Sequence, residues 1–133
     1  MAEKPQIYGI ISEFNPFHLG HEYLIQQARK NGASHIVCIM SGNYVQRGEP
    51  AFFSKWARSE MALKCGADLI IELPLPWAIS GAEKFAFGGV YLLNALSCVD
   101  KIIFGSECGD IRLLENTARL LLSTEWTAQL RCV

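Results

Sequence analysis

The chain has 133 residues, with 12 lysine and arginine residues against 13 aspartate and glutamate residues, and half of its residues are apolar. This composition excludes a disordered or fibrous chain, and the near-neutral charge excludes a nucleic-acid binder that acts through bulk positive charge. No apolar run approaches the roughly 20 residues of a membrane span, and the first residues lack a signal-peptide pattern. We therefore expect a cytoplasmic protein without a membrane partner, folded as one domain over residues 1–133.

The first part of the chain predicts a strand, a helix and a second strand. An apolar run over Ile7–Ile11 is typical of a buried strand. His21–Lys30 is predicted to be helical, because apolar residues recur at helical spacing and Asn31-Gly32 forms a stop signal. Ile36–Met40 is the second predicted strand.

A long loop, a helix and a third strand are predicted next. Ser41–Phe53 contains glycine, asparagine and proline and is predicted to be a loop. Loops of this length in small domains are usually functional. Ser54 can cap a helix that runs to Cys65 before Gly66. Its predicted buried face consists of Ala57, Met61 and Cys65. Leu69–Glu72 is the third predicted strand.

Two prolines, Pro74 and Pro76, indicate a turn before the last elements. Ser80 and Glu83 have capping-box spacing and predict a helix whose apolar face comprises Phe85, Ala86, Gly89, Val90 and Leu93. Lys101–Phe104 is the fourth predicted strand. Asp110 can cap a final helix that carries Leu113, Leu114, Thr117, Leu120 and Leu121.

This alternation of strands and helices predicts an α/β fold. Right-handed helical crossovers between parallel strands give a doubly wound sheet with helices on both faces. In such sheets ligands bind beyond the carboxyl ends of the strands. We therefore expect the functional residues in the loops that follow strand ends.

An unusual turn follows the first predicted strand, with the order Glu13-Phe14-Asn15-Pro16-Phe17-His18-Leu19-Gly20-His21. The start of a helix carries unpaired backbone N–H groups and a partial positive charge, so it binds phosphates and other anions. Gly20 permits close approach of a ligand, and two imidazoles can donate hydrogen bonds to phosphate oxygens. The pattern predicts a phosphate site. Two alternatives stay open: histidines that only cap the helix, and a zinc site, for which no third ligand is close in sequence.

The stretch Pro16–His21 resembles the phosphate-binding HxGH signature of the nucleotidyltransferase superfamily. Four further blocks recur in order: Met40–Pro50, Ser54–Arg58, Gly66–Pro74 and Phe104–Glu107. Together they resemble bacterial tRNA(Met) cytidine acetate ligases over about Ile7 to Leu122. The resemblance implies a Rossmann-like, HUP-type fold. It also implies an ATP-dependent ligase that activates acetate as acetyladenylate and converts the wobble cytidine of elongator tRNA(Met) to N4-acetylcytidine.

The resemblance also implies roles for individual residues. His18 and His21 would be catalytic and hold ATP phosphates in the transition state. The implied ATP-binding residues form one continuous stretch and one later position: Ile11, Ser12, Glu13, Phe14, Asn15, Pro16, Phe17, His18, Leu19, Gly20, His21, Glu22, Tyr23, Leu24 and Gly105. Mg²⁺ is expected to accompany ATP. The family's chain is much longer, so we expect this sequence to be its N-terminal catalytic part. The family's C-terminal region would carry further nucleotide contacts and much of the tRNA-binding surface.

Cations in the second block form a weaker hypothesis. We expect Arg47, Lys55 or Arg58 to contact phosphate or acetate, with a solvated helix face as the alternative. Asp68 and Glu72 flank the third strand, and they are as compatible with capping neighbouring elements as with holding a magnesium ion.

The remaining candidates are predicted to be structural. His35 precedes the second strand, and Trp56, Trp77 and Trp126 are expected to pack against neighbours. The cysteines are odd in number and lack metal-ligand or redox spacing, so we expect free thiols in a reducing compartment. They are Cys38, Cys65, Cys98, Cys108 and Cys132.

Two other functions stay open at this level. One is a different HxGH nucleotidyltransferase, such as a nicotinate mononucleotide adenylyltransferase-like enzyme, although the Ser41–Pro50 block is not associated with that family. The other is a truncated, catalytically inert nucleotide-binding module. Its exposed apolar surface would favour a homo-oligomer.

Overall fold

The computed structural model describes residues 4–124 and residue 126. Its strands are β1 (Ile7–Ser12), β2 (His35–Ser41), β3 (Leu69–Leu73) and β4 (Lys101–Ile102). Its α-helices are α1 (Leu19–Lys30), α2 (Lys55–Lys64), α3 (Leu75–Ala78), α4 (Ala82–Ala95) and α5 (Ile111–Leu121). A short 3-10 helix, Gln46–Gly48, lies in the loop between β2 and α2. Within the described ranges, no helix is long and apolar enough to span a bilayer.

The four strands form one parallel sheet in the order β3-β2-β1-β4. Consecutive strands run outward from β1 to β3, and the chain then crosses back to place β4 on the other side of β1. The predicted doubly wound α/β fold is confirmed. All four strands end at the same edge, so the loops after β1 and β4 meet there.

Successive side chains of β1 and β2 point to opposite faces of the sheet, so the core has two layers, one on each face. One face buries Tyr8 and Ile10 with Ile25 of α1 and Ala62 of α2. The opposite face packs α4, with its buried residues Phe85 and Leu93, against the sheet. Because successive strand side chains point to opposite faces, nearly continuous apolar strands are needed to fill both layers.

Two adjacent glycines allow α4 to lie close to its neighbours. A Cβ on Gly89 would lie 2.6 Å from Cγ2 of Ile11, and one on Gly88 would lie 2.5 Å from the Trp77 ring. Both distances are far below van der Waals contact. These glycines thus permit close packing of α4 on its neighbours. The prediction of the buried face of α4 was partly wrong, because Gly88 is buried whereas Ala86 and Val90 are exposed.

Several helix boundaries differ from the prediction for identifiable reasons. The short helix α3 was not predicted, although proline is tolerated in the first turn of a helix. Ser80 does not cap α4: its hydroxyl donates to the Pro76 carbonyl at 2.6 Å, and Gly81 occupies the N-cap position. The caps predicted at Ser54 and Asp110 are confirmed, because their side-chain oxygens accept hydrogen bonds from the backbone N–H groups of the first helical turn.

The faces of α2 and α5 also differ from the prediction. The buried residues of α2 are Arg58 and Ala62, while Ala57, Met61 and Cys65 are only partly buried. Along α5 the apolar stripe is exposed except at Leu114. β4 is shorter than predicted, although Ile103 N–H still donates to the Gly9 carbonyl at 2.9 Å and continues the pairing with β1 by one bond.

Candidate functional site

A cleft of about 850 Å³ opens at the carboxyl edge of the sheet. The end of β1 and the start of α1 form one wall, and the segment after β4 with the start of α5 forms the other. Its lining includes eight of the fifteen residues expected to bind ATP: Ile11, Ser12, His18, Gly20, His21, Tyr23, Leu24 and Gly105. The fold therefore brings Gly105 to the same cleft as the two histidines, as expected from their positions after strand ends.

His18 and His21 also cap the first turn of α1. His18 Nδ1 accepts a hydrogen bond from Gly20 N–H at 3.1 Å, and His21 Nδ1 accepts one from His18 N–H at 3.3 Å. This reciprocal pair is a capping box built from imidazoles. It explains why α1 begins at Leu19, two residues before the predicted start.

The caps fix which nitrogen carries the ring proton. A ring nitrogen that accepts a backbone hydrogen bond has no proton of its own, so in a neutral imidazole the proton lies on the other nitrogen. Both rings can therefore donate through Nε2–H. Neither Nε2 atom has a hydrogen-bond partner among the described residues. Capping and ligand binding use opposite sides of the rings and are compatible.

The two imidazoles stack, with ring centroids 3.8 Å apart. Partial burial and the neighbouring His18 lower the pKa of His21 to about 4. His21 is therefore a neutral hydrogen-bond donor at pH 7. Its ring also contacts Phe14 edge-on at a centroid distance of 5.0 Å, which holds it against the core.

The residues between Ser12 and His18 shape the turn and do not line the cleft. Phe14 is buried and adopts a positive φ of 48°, and the Asn15–Pro16 peptide is cis. Glu13 accepts a hydrogen bond from Gln46 N–H at 2.8 Å, and Asn15 accepts one from Phe52 N–H at 2.7 Å. The expected ATP residues that lie outside the cleft lining are Glu13, Phe14, Asn15, Pro16, Phe17, Leu19 and Glu22.

The family model for HIGH nucleotidyl transferases matches residues 5–131. The chain belongs to the HIGH nucleotidyl transferase family. It is 52% identical over 118 residues to the tRNA(Met) cytidine acetate ligase of Acetivibrio thermocellus, and 54% identical over 116 residues to that of Halothermothrix orenii. These alignments cover 88% and 86% of this chain but 28% of each relative. The chain therefore spans less than a third of the length of the curated relatives it matches.

Solved structures agree with this membership of the HIGH nucleotidyl transferases. A crystal structure of Thermotoga maritima TmcAL bound with alpha-thio ATP matches with a TM-score of 0.82 and 44% identity, covering 87% of this chain and 28% of that one. An apo form of the same protein matches with a TM-score of 0.81 over the same shares.

The candidate cations of this HIGH nucleotidyl transferase lie in three different settings. Arg58 is fully buried, and its guanidinium donates to the main-chain carbonyls of Glu13, Gly42 and Phe53. It holds together the loop after β1 and the two ends of the loop after β2, and it does not line the cleft. Lys55 is paired with Glu72 at 2.6 Å, whereas Arg47 is exposed.

Asp68 has a structural role. Its carboxylate accepts from Ile36 N–H at 2.6 Å and pairs with Arg29, which ties α1 to the start of β2. Within residues 4–124 and 126, no group of three or more histidine, cysteine or acidic residues could hold a metal ion. Of the two roles left open for Asp68, these contacts support the capping of neighbouring elements.

The other predicted structural residues have mixed outcomes. Trp56 is 75% exposed, so its expected packing role was wrong, while Trp77 packs against α4 and Tyr91. His35 lies at the start of β2, away from the cleft, with Nδ1 3.1 Å from the Ser34 hydroxyl. The cysteines described by the structure are free, with Cys132 outside the described residues.

Sequence reasoning missed the second wall of the cleft. It runs from the end of β4 to the first turn of α5 and comprises Ile102, Ile103, Phe104, Ser106, Gly109, Ile111 and Leu114, while Gln27 and Asn31 extend the wall formed by α1. The available signal was the position of this segment directly after a strand end, the same signal that indicated Gly105.

We expect His21 to make the stability of the protein depend on pH, so that the free energy of unfolding falls as the pH decreases from about 6.5 towards 4. Folding lowers the pKa of this imidazole from 6.5 to about 4, so in this window the unfolded chain binds a proton that the folded chain does not. The free energy of unfolding therefore rises with pH across the window and levels off above it. In thermal melts across this pH range, the melting temperature of His21→Gln should fall less with decreasing pH than that of the wild type, because glutamine keeps a capping acceptor without the titrating ring. Parallel pH profiles for the two proteins would contradict the expectation.

Proposed function

We propose that this chain binds ATP in the cleft and supplies the nucleotide-binding part of a tRNA(Met) cytidine acetate ligase. The pair of free Nε2–H donors beside the start of α1 carries this proposal. It is supported by the 52% identity to the Acetivibrio thermocellus ligase and by the similarity to TmcAL bound with an ATP analogue. We further propose ATP, acetate and elongator tRNA(Met) as the substrates.

The geometry suits a polyphosphate leaving group. The start of α1 supplies partial positive charge, and the two rings add directed donors; because His21 is neutral, the site does not place two cations 3.8 Å apart. At Gly20 a Cβ would lie 3.0 Å from the His18 ring, so the glycine keeps this approach open. Donors that are fixed before the reaction stabilise developing charge without reorganisation.

The first step requires no protein nucleophile. Acetate is ionised at neutral pH, so its oxygen attacks the α-phosphorus directly. A bond forms between that oxygen and the α-phosphorus, and the bond from the α-phosphorus to the bridging oxygen breaks. Pyrophosphate leaves with the electron pair, and His18 and His21 hydrogen-bond to its oxygens as charge develops. The enzyme's contribution is alignment and charge stabilisation.

The second step transfers the acetyl group. The exocyclic amine of the cytidine attacks the acetyl carbonyl, the bond from that carbon to the phosphate oxygen breaks, and AMP leaves. The amine loses one proton to solvent or to the departing phosphate. The cytidine must be unstacked to reach the cleft.

Mg²⁺ would be held at this site through the phosphates of the nucleotide. No carboxylate occurs among the described residues that line the cleft. Because Mg²⁺ keeps several waters and binds readily through substrate phosphates, we propose that it enters with ATP. For acetate or phosphate contacts, Arg47 and Lys55 remain the proposed cations, since Arg58 already donates to carbonyl groups.

A chimera tests the proposal directly. Residues 5–122 of this chain replace the matching region of the Acetivibrio thermocellus ligase, which supplies the rest of the protein. We expect acetate-dependent exchange of pyrophosphate into ATP and acetylation of elongator tRNA(Met). A folded chimera that exchanges pyrophosphate without acetate dependence, or only with nicotinate mononucleotide, would overturn the proposed ligase function. Calorimetry of the chain with ATP checks nucleotide binding independently.

A further inference from the structure

Four aromatic side chains are exposed on the loop between β2 and α2 and on the first turn of α2. Tyr44, Phe52, Phe53 and Trp56, which we call the aromatic surface, are 51%, 76%, 41% and 75% exposed. Phe52 and Phe53 meet edge to face at a centroid distance of 5.0 Å. Such a concentration of exposed rings within thirteen residues is not needed by the core, which is filled by other side chains.

The loop that carries these rings is well ordered by hydrogen bonds. The Asn43 carbonyl accepts from Ala51 N–H at 2.9 Å, and the Asn43 side chain accepts from Lys55 N–H at 2.9 Å. Tyr44 forms an isolated bridge with Pro50. The aromatic surface is therefore held in place before any partner arrives, which lowers the entropy cost of binding.

The same loop is attached to the turn that leads to His18. Glu13 accepts from Gln46 N–H, and Asn15 accepts from Phe52 N–H. Arg58 adds a third connection between the Glu13 and Phe53 carbonyls. Because both loops follow neighbouring parallel strands, the aromatic surface lies at the same edge of the sheet as the proposed nucleotide cleft, although none of its residues lines that cleft.

Cationic groups accompany the rings. Arg47 is exposed without an ion pair in the described part of the chain, and Lys55 Nζ lies 5.3 Å from the centroid of the Trp56 ring while it is also paired with Glu72 at 2.6 Å. Aromatic faces on which bases stack, beside cations that contact phosphates, are the usual means of holding single-stranded nucleic acid. They also suit RNA loops, whose unstacked bases are available to aromatic side chains.

We propose that the aromatic surface binds the unpaired bases of the RNA loop whose cytidine enters the cleft. The inference rests on the proposed function, because that function requires a single-stranded cytidine to approach this edge of the sheet. RNA is favoured over a protein partner because the same loop carries the exposed cation Arg47 and is hydrogen-bonded to the turn that leads to His18. Phe52 and Trp56, the most exposed rings, are the proposed stacking platforms.

Binding measurements on this chain test the inference. The probes are the fluorescently labelled anticodon stem-loop of elongator tRNA(Met) and a fully paired RNA of the same length. We expect binding of the stem-loop and a loss of about tenfold in affinity for Phe52→Ala or Trp56→Ala, as is typical when one stacked base loses its partner. Phe87→Ala is the matched control, because Phe87 is 63% exposed on α4, on the opposite face of the sheet from α2. It should leave affinity unchanged.

Three results would overturn the inference: no binding of the stem-loop, equal losses in all three variants, or tighter binding of the paired RNA. A wild-type dimer that Trp56→Ala converts to a monomer would instead assign the surface to a second copy of the chain. In the chimera, Trp56→Ala should raise KM for tRNA while acetate-dependent exchange is retained. Failure of exchange in every version would count against the proposed function, whereas normal exchange with unaltered tRNA KM would count against the aromatic surface alone.

Discussion

Arg58→Met is expected to lower the free energy of unfolding by about 3–5 kcal/mol. The Arg58 side chain is fully buried, and its guanidinium donates to three main-chain carbonyls, one in the loop after β1 and two in the loop after β2. Methionine fills much of the volume but donates no hydrogen bond, so these carbonyls lose charge-assisted partners. A hydrogen bond to a charged group contributes about 1.5–3 kcal/mol, and total stability is about 5–15 kcal/mol.

Urea unfolding of the Met and Lys variants checks this expectation. Lysine keeps the charge but lacks the planar fork that reaches several carbonyls at once, so we expect Arg58→Lys to be destabilised as well. Arg47→Ala is the matched control, since Arg47 is exposed and surface changes usually stay within about 0.5 kcal/mol. If Arg58→Met unfolded at the same urea concentration as Arg47→Ala, the proposal that Arg58 stabilises the loops after β1 and β2 would be wrong.

Burial of Arg58 places one cation at the joint between the loop after β1 and the loop after β2. Desolvation lowers the pKa of its guanidinium, while Glu13 and Glu72 act in the opposite direction. The chain therefore stabilises a buried charge mainly with carbonyl groups. Loss of Arg58 should loosen the turn before His18 as well as the aromatic surface, and so affect the cleft from a distance.

The strands and most helices could be predicted because apolar periodicity reflects burial directly. β1, β2 and β3 were each placed within one residue at either end, since their sequences are nearly continuous apolar runs. The start of α1 could not be predicted from propensity, because histidine is not a preferred N-cap residue. Its capping role depends on the reciprocal bonds of two imidazoles, which only the folded turn reveals.

For the candidate site, the sequence predicted the residues of the wall formed by the end of β1 and the start of α1. Of the opposite wall it predicted only Gly105. The HxGH turn could be recognised because its residue types suit anion binding at a helix start. The positions of Gln27 and Leu114 across the cleft depend on how α1 and α5 approach each other, which periodicity does not encode. Arg58 was misread for a related reason: sequence shows a cation, and only packing shows that backbone carbonyls surround it.

His18→Asn separates the capping role of this residue from its proposed role at the phosphates. Asparagine is a preferred N-cap residue, so its side-chain oxygen can replace Nδ1 as the acceptor for Gly20 N–H. It is too short to replace the Nε2–H donor on the far side of the ring. We expect a melting temperature equal to or above that of the wild type.

The same variant should have a large effect on activity. Removing one donor that stabilises charge in the transition state costs about 10²–10³ in kcat. In the chimera, His18→Asn should therefore lower acetate-dependent pyrophosphate exchange by about that factor. His18→Ala should lose both stability and exchange, since it removes the cap acceptor as well as the donor. A His18→Asn chimera with wild-type exchange would show that the imidazoles only cap α1, because the two roles use opposite nitrogens of one ring and this substitution removes only the donor.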